Sequence, residues 1–315
     1  MKKTQVRPLT AQPSEDAQVT LAKYFFGLDI GSRIINVRGI SAALNMSVGA
    51  VSNLMNGLQE SGAISVEKRG HMGSYITGRS ITKLWNIVGK GPMVIAMSLP
   101  MHVRFEGLAT AIKKSLESAG IETYMTFIRG SRNRLQAVND DRCHAAVMSL
   151  LSASDIPAGK NGILYTLPPG SWLSGYRVFY RKPSGDMERP LRVAVDHQSA
   201  DHNKLTEIEF QDQNVELVPV SYVQTVRMLK KGEVDAIVWN EEQMDELESR
   251  DIYSRPLSDR TIALIGEQRP LCAAFVGKSA PEGVGVKRVL EEYVTAENVE
   301  RIQQQVVTGE IFPYY

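Results

Sequence analysis

Through the first 90 residues the apolar positions recur at helical spacing, and beyond residue 92 short apolar runs alternate with helical stretches. Leu21, Ala22, Phe25 and Phe26 predict a helix that Ser14 caps, with Glu15 and Asp16 in its first turn and Gly31 as its stop. Asn36 caps a second helix with Val37, Ile40, Ser41 and Leu44 on one face. Ser47 caps a third, whose inward stripe is Val51, Leu54, Met55 and Leu58 and whose outward face is Gly49, Ala50, Ser52, Asn53 and Asn56. Gly62 ends it; "AISVEK" alternates as a strand, "RGHMG" turns and "SYIT" returns. Helix, turn, helix and hairpin in that order predict a winged helix-turn-helix.

"GRSITKLWNIVGKGPMV" holds a short amphipathic run between glycines, and Ile81 and Trp85 are expected to dock on a neighbouring domain. After it the chain repeats one unit. "MVIAMSL", "RFEGLATAIKKSLESAG", "IETYMTFI", "SRNRLQAVNDD" and "CHAAVMSL" read as β-α-β-α-β, and "RPLRVAVD", "SADHNKLTEIEF", "VELVPV", "SYVQTVRMLKKG" and "EVDAIVWN" read the same way. Two such units in series predict a two-lobed α/β domain with mostly parallel sheets. The expected organisation is a polar N-terminal arm over 1–13, the winged helix over 14–78 and a linker over 79–92. The two-lobed domain follows over 93–315, with lobe one at 93–172 and 271–315 and lobe two at 173–270.

Charge sharpens this division. The net charge is +1, but residues 1–90 hold 11 Lys+Arg against 5 Asp+Glu, leaving 25 against 30 for the rest. A basic front and an acidic back predict that only the front meets a polyanion. The two cysteines, Cys143 and Cys272, have neither disulfide-framework nor metal spacing and are expected to be buried free thiols. No apolar run follows Lys2 and Lys3, and none reaches the length of a membrane span, so a cytoplasmic protein is expected.

The segment from Gly31 to Ile76 resembles the GntR-type winged helix of bacterial regulators. Gly31 and Arg33 match its opening, Arg38 its first-helix arginine, Leu44 and Ser47 its turn, Gly62 its stop, and Gly70 and Gly73 its wing. It departs where that family places an arginine after the turn serine: here stand Val48, Gly49, Ala50 and Ser52. "VQTVRMLKKGEVDAIVWN" resembles the type II periplasmic-binding-protein fold, as in the effector domains of LysR-type regulators. "TIALIGEQRPLCAAFVGKSA" resembles the strands that cross back to lobe one, and "PEGVGVKRVLEEYVTAENVERIQQQVVTG" its closing helices. Along its whole length the chain resembles the YhfZ family of transcriptional regulators.

Two sites are expected. For DNA, Arg38, Lys68, Arg69 and His71 suit phosphates or a minor groove, and Ser47, Ser52 and Asn53 suit base edges, with no arginine in the recognition helix. For a ligand, open α/β sheets bind beyond the carboxyl ends of their strands. Those ends hold Ser98; Arg129 with Ser131; Ser149; His197 with Ser199; Ser221; and Trp239 with Asn240. Each serine alone is a helix cap, but the set suits an anionic or hydroxylated small molecule. Arg129 is placed to grip a carboxylate or phosphate. Ser131 is placed to cap the next helix, and Arg132 and Arg134 are expected to turn outward on it.

No phosphate loop, nucleophile elbow or His-Glu-x-x-His is present. Asp196, His197, Asp201 and His202 form the one dense cluster, but their spacing across a strand-to-helix turn gives no convergence, so neither metal nor cofactor is expected. The expected function is that of a DNA-binding transcriptional regulator, not an enzyme. Its partners would be double-stranded DNA, a small anionic effector and a second copy of the chain. An enzyme on the clamshell fold, with the winged helix serving regulation or assembly, stays open as the alternative, as does a ligand-binding module without DNA activity.

Overall fold

The computed structural model describes residues 17–89, 91–182 and 189–315. The arm expected over 1–13 and the cap at Ser14 lie outside the described residues. The chain forms two compact units. One comprises the described residues up to Met93 together with Leu116–Thr123 and Ala280–Tyr293; the other comprises Val94–Ser115, Tyr124–Ser279 and Val294–Tyr315.

In the first unit, α1 (Ala17–Gly27) buries Leu21, Ala22, Phe25 and Phe26. It stops four residues before the predicted Gly31. That glycine, at φ 85°, instead turns the chain onto the hairpin, and its N–H donates to the Ile76 carbonyl at 2.7 Å. The freed carbonyls at the end of α1 are met by Arg79, whose guanidinium donates to those of Phe25, Phe26 and Leu28. In α2 (Val37–Leu44), Asn36 accepts from the Gly39 N–H, and in α3 (Val48–Glu60), Ser47 accepts from that of Ala50. Val51, Met55 and Leu58 are buried, while Leu54 is half-buried, so the inward stripe of α3 is narrower than its apolar pattern.

Strands β1 (Ile64–Lys68) and β2 (Ser74–Arg79) pair antiparallel as the wing. Ser80 caps α4 (Ile81–Val88), which buries Ile81, Leu84 and Trp85 beside α1 and the helix Val284–Tyr293. That last helix, expected within lobe one, groups with the winged helix for physical reasons. Arg288 pairs with Asp29 at 2.7 Å, the Tyr293 hydroxyl meets Thr82 Oγ1 at 2.8 Å, and Gly285 leaves room for the Phe26 ring.

The second unit carries both sheets. Its first half runs β3 (Met93–Met97), α5 (Val103–Ser118), β4 (Thr123–Phe127), α6 (Ser131–Asn139), β5 (Ala145–Ser149), α7 (Leu150–Ser154) and β6 (Asn161–Pro169). Its second runs β7 (Tyr176–Arg181), β8 (Leu191–Val195), α8 (Ala200–Phe210), β9 (Val215–Pro219), α9 (Tyr222–Lys231), β10 (Ala236–Asn240), α10 (Met244–Leu247), β11 (Ile252–Pro256) and α11 (Asp259–Ile265). The chain then returns through β12 (Cys272–Lys278); α12 (Val284–Tyr293) is the helix already met, and α13 (Ala296–Val307) closes the second unit.

The sheet orders are β4-β3-β5-β12-β6 and β9-β8-β10-β7-β11. Each lobe thus lays its second, first and third strands side by side, then an inserted strand, then its fourth. The insert is β12 in one lobe and β7 in the other, so the chain crosses between lobes twice, after β6 and before β12. Both inserts run antiparallel to their neighbours, which corrects the expectation of mostly parallel sheets. β5 and β10 lie at the centres with every residue buried. The segment read as strands crossing back is half helix: Ser258 caps α11, and Thr261 and Ile265, one turn apart, are its buried face. Cys143 and Cys272 are free and buried. Among the described residues no helix is long and apolar enough to cross a membrane.

Candidate DNA interface and ligand cleft

The winged helix presents its polar groups to solvent. Arg38, Ser47, Asn53, Lys68, Arg69 and His71 are exposed and Ser52 is half-buried. Ser47 uses one hydroxyl lone pair for its cap, at 3.2 Å from the Ala50 nitrogen. Arg69 is committed: its Nη2 donates to Glu67 at 2.7 Å and its guanidinium lies 4.5 Å from the Tyr75 ring centroid. The hydrogen bond to Glu67 lifts the Arg69 pKa and lowers that of Glu67. Arg33 braces the wing from behind: a Cβ on Gly73, at φ +94°, would meet its Nε at 2.9 Å.

Within the second unit a cleft of about 630 Å³, its open mouth included, lies between the lobes. Of the predicted ligand residues it brings together Ser98, Arg129, Ser131 and Ser199. The other five do not line it. Ser149 is fully buried and caps α7, and its hydroxyl donates to Asp201 at 2.7 Å. His197 is exposed and meets Asn203 at 2.6 Å, while Ser221 begins α9 without a side-chain cap bond. Trp239 is buried, stacks on Tyr222 at 4.1 Å and donates to Gln243. Asn240 is buried and donates to the Tyr222 hydroxyl at 3.0 Å.

The predicted turn into α6 also needs correction. The cap is Gly130, not Ser131, and Arg134 faces inward and lines the cleft. Gly130, at φ +81°, is required there, because a Cβ would come within 3.0 Å of the Gln198 carbonyl on the other lobe. Arg134 is 4% exposed. Its Nη1 donates to the Ile128 carbonyl at 2.9 Å, while its buried Nε has no partner. Burial pulls its pKa down to about 10, and the charge of Asp201 offsets this only in part.

Facing the two arginines are two carboxylates. Asp196 accepts from Arg129 Nη2 at 2.7 Å and from the Gln198 and Tyr222 N–H groups at 2.9 and 2.8 Å. Burial pushes its carboxyl up, but these donors outweigh it and hold the pKa below the ordinary value. Asp201 accepts from Ser149 and Ser152, and here burial prevails and the pKa is raised. Burial likewise raises the phenol pKa of Tyr176, another lining residue. Met101, Phe105, Trp172 and Leu173 supply an apolar wall, with the Phe105 and Trp172 rings 4.4 Å apart.

Sequence reasoning missed Asp196 and Asp201 as cleft residues, having weighed them only as metal ligands, and missed Ser152, Tyr176 and Tyr222 entirely. Asp196 ends a predicted strand and was within reach of the strand-end rule. Among the described residues no group of three or more His, Cys, Asp or Glu is placed to hold a metal.

These elements define a class: a winged helix-turn-helix followed by a two-lobed, periplasmic-binding-protein-like α/β domain. Residues 80–315 match the family model described as YhfZ C-terminal domain, and residues 29–76 match one described as helix-turn-helix domain. The chain belongs to the YhfZ family. It is 30% identical over 297 residues to YhfZ of Escherichia coli (strain K12), covering 94% of this chain and 95% of that one. It is similar in structure to YhfZ from Shigella flexneri, with a TM-score of 0.58 and 28% identity over 75% of this chain and 98% of the other. The periplasmic VFT2 domain of Bordetella pertussis BvgS matches at a TM-score of 0.48 and 12% identity, over 71% of this chain and 96% of that one.

Proposed function

We propose that the protein is a cytoplasmic, homodimeric transcriptional regulator. Its GntR-like winged helix would bind operator DNA, with Arg38, Lys68, Arg69 and His71 on phosphates and Ser47, Ser52 and Asn53 at base edges. Its cleft would sense a small anion, held by Arg129 and Arg134 with Ser98, Ser131 and Ser199 beside them. The observation that carries the effector reading is Arg134. A guanidinium that is 4% exposed, with one carbonyl partner and an orphaned Nε, is costly to the fold. An anion bound beside it would supply the missing acceptor, and a second arginine five residues earlier stands at the same cleft. The helix-turn-helix match and the basic front support the DNA reading.

The test is a salt titration of the full-length protein on duplex fragments of its own genome, with small carboxylates and phosphates added in turn. About three basic contacts per half of a dimer give a log–log slope near −5. Lys68→Ala with Arg69→Ala should weaken all sequences alike. At least one anion should change DNA affinity in the wild type and not in Arg134→Met, which should keep its fold by circular dichroism at a lower melting temperature, since the swap leaves the Asp201 carboxylate without its counter-charge. Salt-insensitive binding would defeat the DNA reading, and an anion response that survives Arg134→Met would defeat the effector site.

A further inference from the structure

We propose that α3 reads A·T base pairs in the major groove. Asn53 and Asn56 hydrogen-bond adenines, Val48 meets a thymine methyl, and Gly49 and Gly57 stay bare so that the helix backbone comes close to the bases. This rests on the DNA-binding reading above and adds the base-pair class.

At 100° per residue, the face opposite buried Val51, Met55 and Leu58 carries Gly49, Asn53, Asn56 and Glu60, flanked by Ser52 and Gly57, while Val48 stands at the helix start on the side of Met55. The helix holds no Lys or Arg, so the bidentate bond to guanine O6 and N7 is missing from its repertoire. The side-chain amide that matches adenine N6 and N7 is present twice, at exposed positions three residues apart and so on one face. Val48 is 47% exposed at the first helical position, an apolar group in the turn that enters the groove first. Glu60, the one ionised group on this face, sits at the far end, which leaves the N-terminal half to approach the polyanion.

The glycines are the second, independent sign. Glycine is the poorest helix former after proline, so an exposed helical glycine needs a reason. Elsewhere the fold supplies one: a Cβ on Gly39 would meet Ile35 Cγ1 at 2.8 Å, and one on Gly107 would meet the Gln303 Cα at 3.0 Å. At Gly49 and Gly57 a Cβ would meet nothing within 4 Å, and neither residue has the left-handed φ that favours glycine. Nothing inside the molecule asks for them. A surface that must be approached closely from outside does.

The experiment selects duplexes for the full-length protein from a random pool, then edits the selected site atom by atom. Half-sites should be enriched in A·T pairs. Replacing a contacted thymine by deoxyuridine removes the methyl, and replacing adenine by 7-deazaadenine removes N7; the latter should lower affinity about five- to a hundredfold. Asn53→Ala or Asn56→Ala should erase the 7-deaza penalty at one adenine each, and Val48→Ala should erase the methyl effect. Gly49→Leu and Gly57→Leu should melt at or above the wild type yet lose the selected site more than tenfold while keeping random-sequence binding. Salt-sensitive binding with no base preference, or with a G·C preference, overturns this proposal and leaves the DNA-binding reading standing. So do leucine variants that bind the selected site as the wild type does. Loss of all DNA binding, in a folded protein, overturns both.

Discussion

In the winged helix, Arg38, Lys68 and His71 stand in solvent, and Arg69 holds an exposed Glu67 that is 51% accessible. In the cleft, Arg134 is 4% exposed and the Asp196 side chain 3%. The same residue types are therefore in opposite energetic positions. An exposed pair contributes about 0–1 kcal/mol and exchanges partners freely with a phosphate. A buried guanidinium is tolerable only with acceptors around it, so the cleft ties charge to folding in a way the wing does not. A region whose charges cost the fold nothing can be read from composition. One whose charges cost it something has to be read from geometry, and the cost itself points to the missing partner.

The comparison is broken most directly by Asp201→Ala. This carboxylate is the counter-charge of Arg134 and the acceptor for both Ser149 and Ser152. Its loss removes the nearby counter-charge of a buried cation and leaves two buried hydroxyls without this acceptor, and should cost about 1–3 kcal/mol by chemical denaturation. Lys68→Ala with Arg69→Ala should leave the denaturation midpoint nearly unchanged. Equal effects in the two regions would mean that the cleft is as solvent-tolerant as the wing.

Acid should separate the two cleft carboxylates. Asp196 has its folded pKa below the ordinary carboxylate value of 3.8, so its stabilising share is present above that value and is lost as pH falls through the folded pKa. Asp201 is raised, so its ionised form is the penalised one, and stability linked to it grows as pH falls from the folded pKa towards the ordinary value. With Arg129 more than a third exposed, Asp196→Asn should cost only about 1–2 kcal/mol near pH 6. The gap from the wild type should narrow as pH falls below 3.8 towards the folded pKa, in urea melts followed by circular dichroism. A gap that widened in acid would reverse the assignment of which carboxylate is held ionised.

The winged helix was legible because its signals are local. Asn36 and Ser47 cap within three residues, and Val51, Met55 and Leu58 repeat at helical spacing. The lobes were legible because one unit occurs twice. What stayed hidden depends on distant partners. Arg129 meets Asp196 across 67 residues and Ser149 meets Asp201 across 52, and no spacing rule joins them. Arg134 was read as outward because a polar helix with two arginines gives no clear inward stripe, yet Ala137 and Val138 in its last turns are buried and share the face that carries Arg134 in. Serines at strand ends marked the right end of the sheets: Ser98, Ser131 and Ser199 line the cleft, Ser149 caps α7, and Ser221 begins α9 without a cap bond. The inserted strand β7 escaped because its antiparallel partners are supplied by the crossover, which leaves no local pattern, whereas β12 was anticipated through the resemblance of its segment to strands that cross back to lobe one.

The smallest expected effect tests the wing side of the comparison. Glu67 is exposed, holds Arg69 by one 2.7 Å bond, and brings a negative charge to the face that would meet phosphate. On binding, Arg69 would have to trade this carboxylate for a phosphate while Glu67 stays nearby and repels it. Glu67→Gln keeps the side chain's length and an acceptor for Arg69 but removes the charge. Stability should be nearly unchanged, as for other exposed pairs. Affinity for random-sequence DNA at low salt should rise a few-fold, and the log–log salt slope should steepen by up to about two for a dimer, one contact per wing. The gain should vanish in the Arg69→Ala background if it works through that residue. An affinity that falls instead would show that Glu67 orders Arg69 for DNA, placing the wing beside the cleft as a region whose charges are committed before the partner arrives.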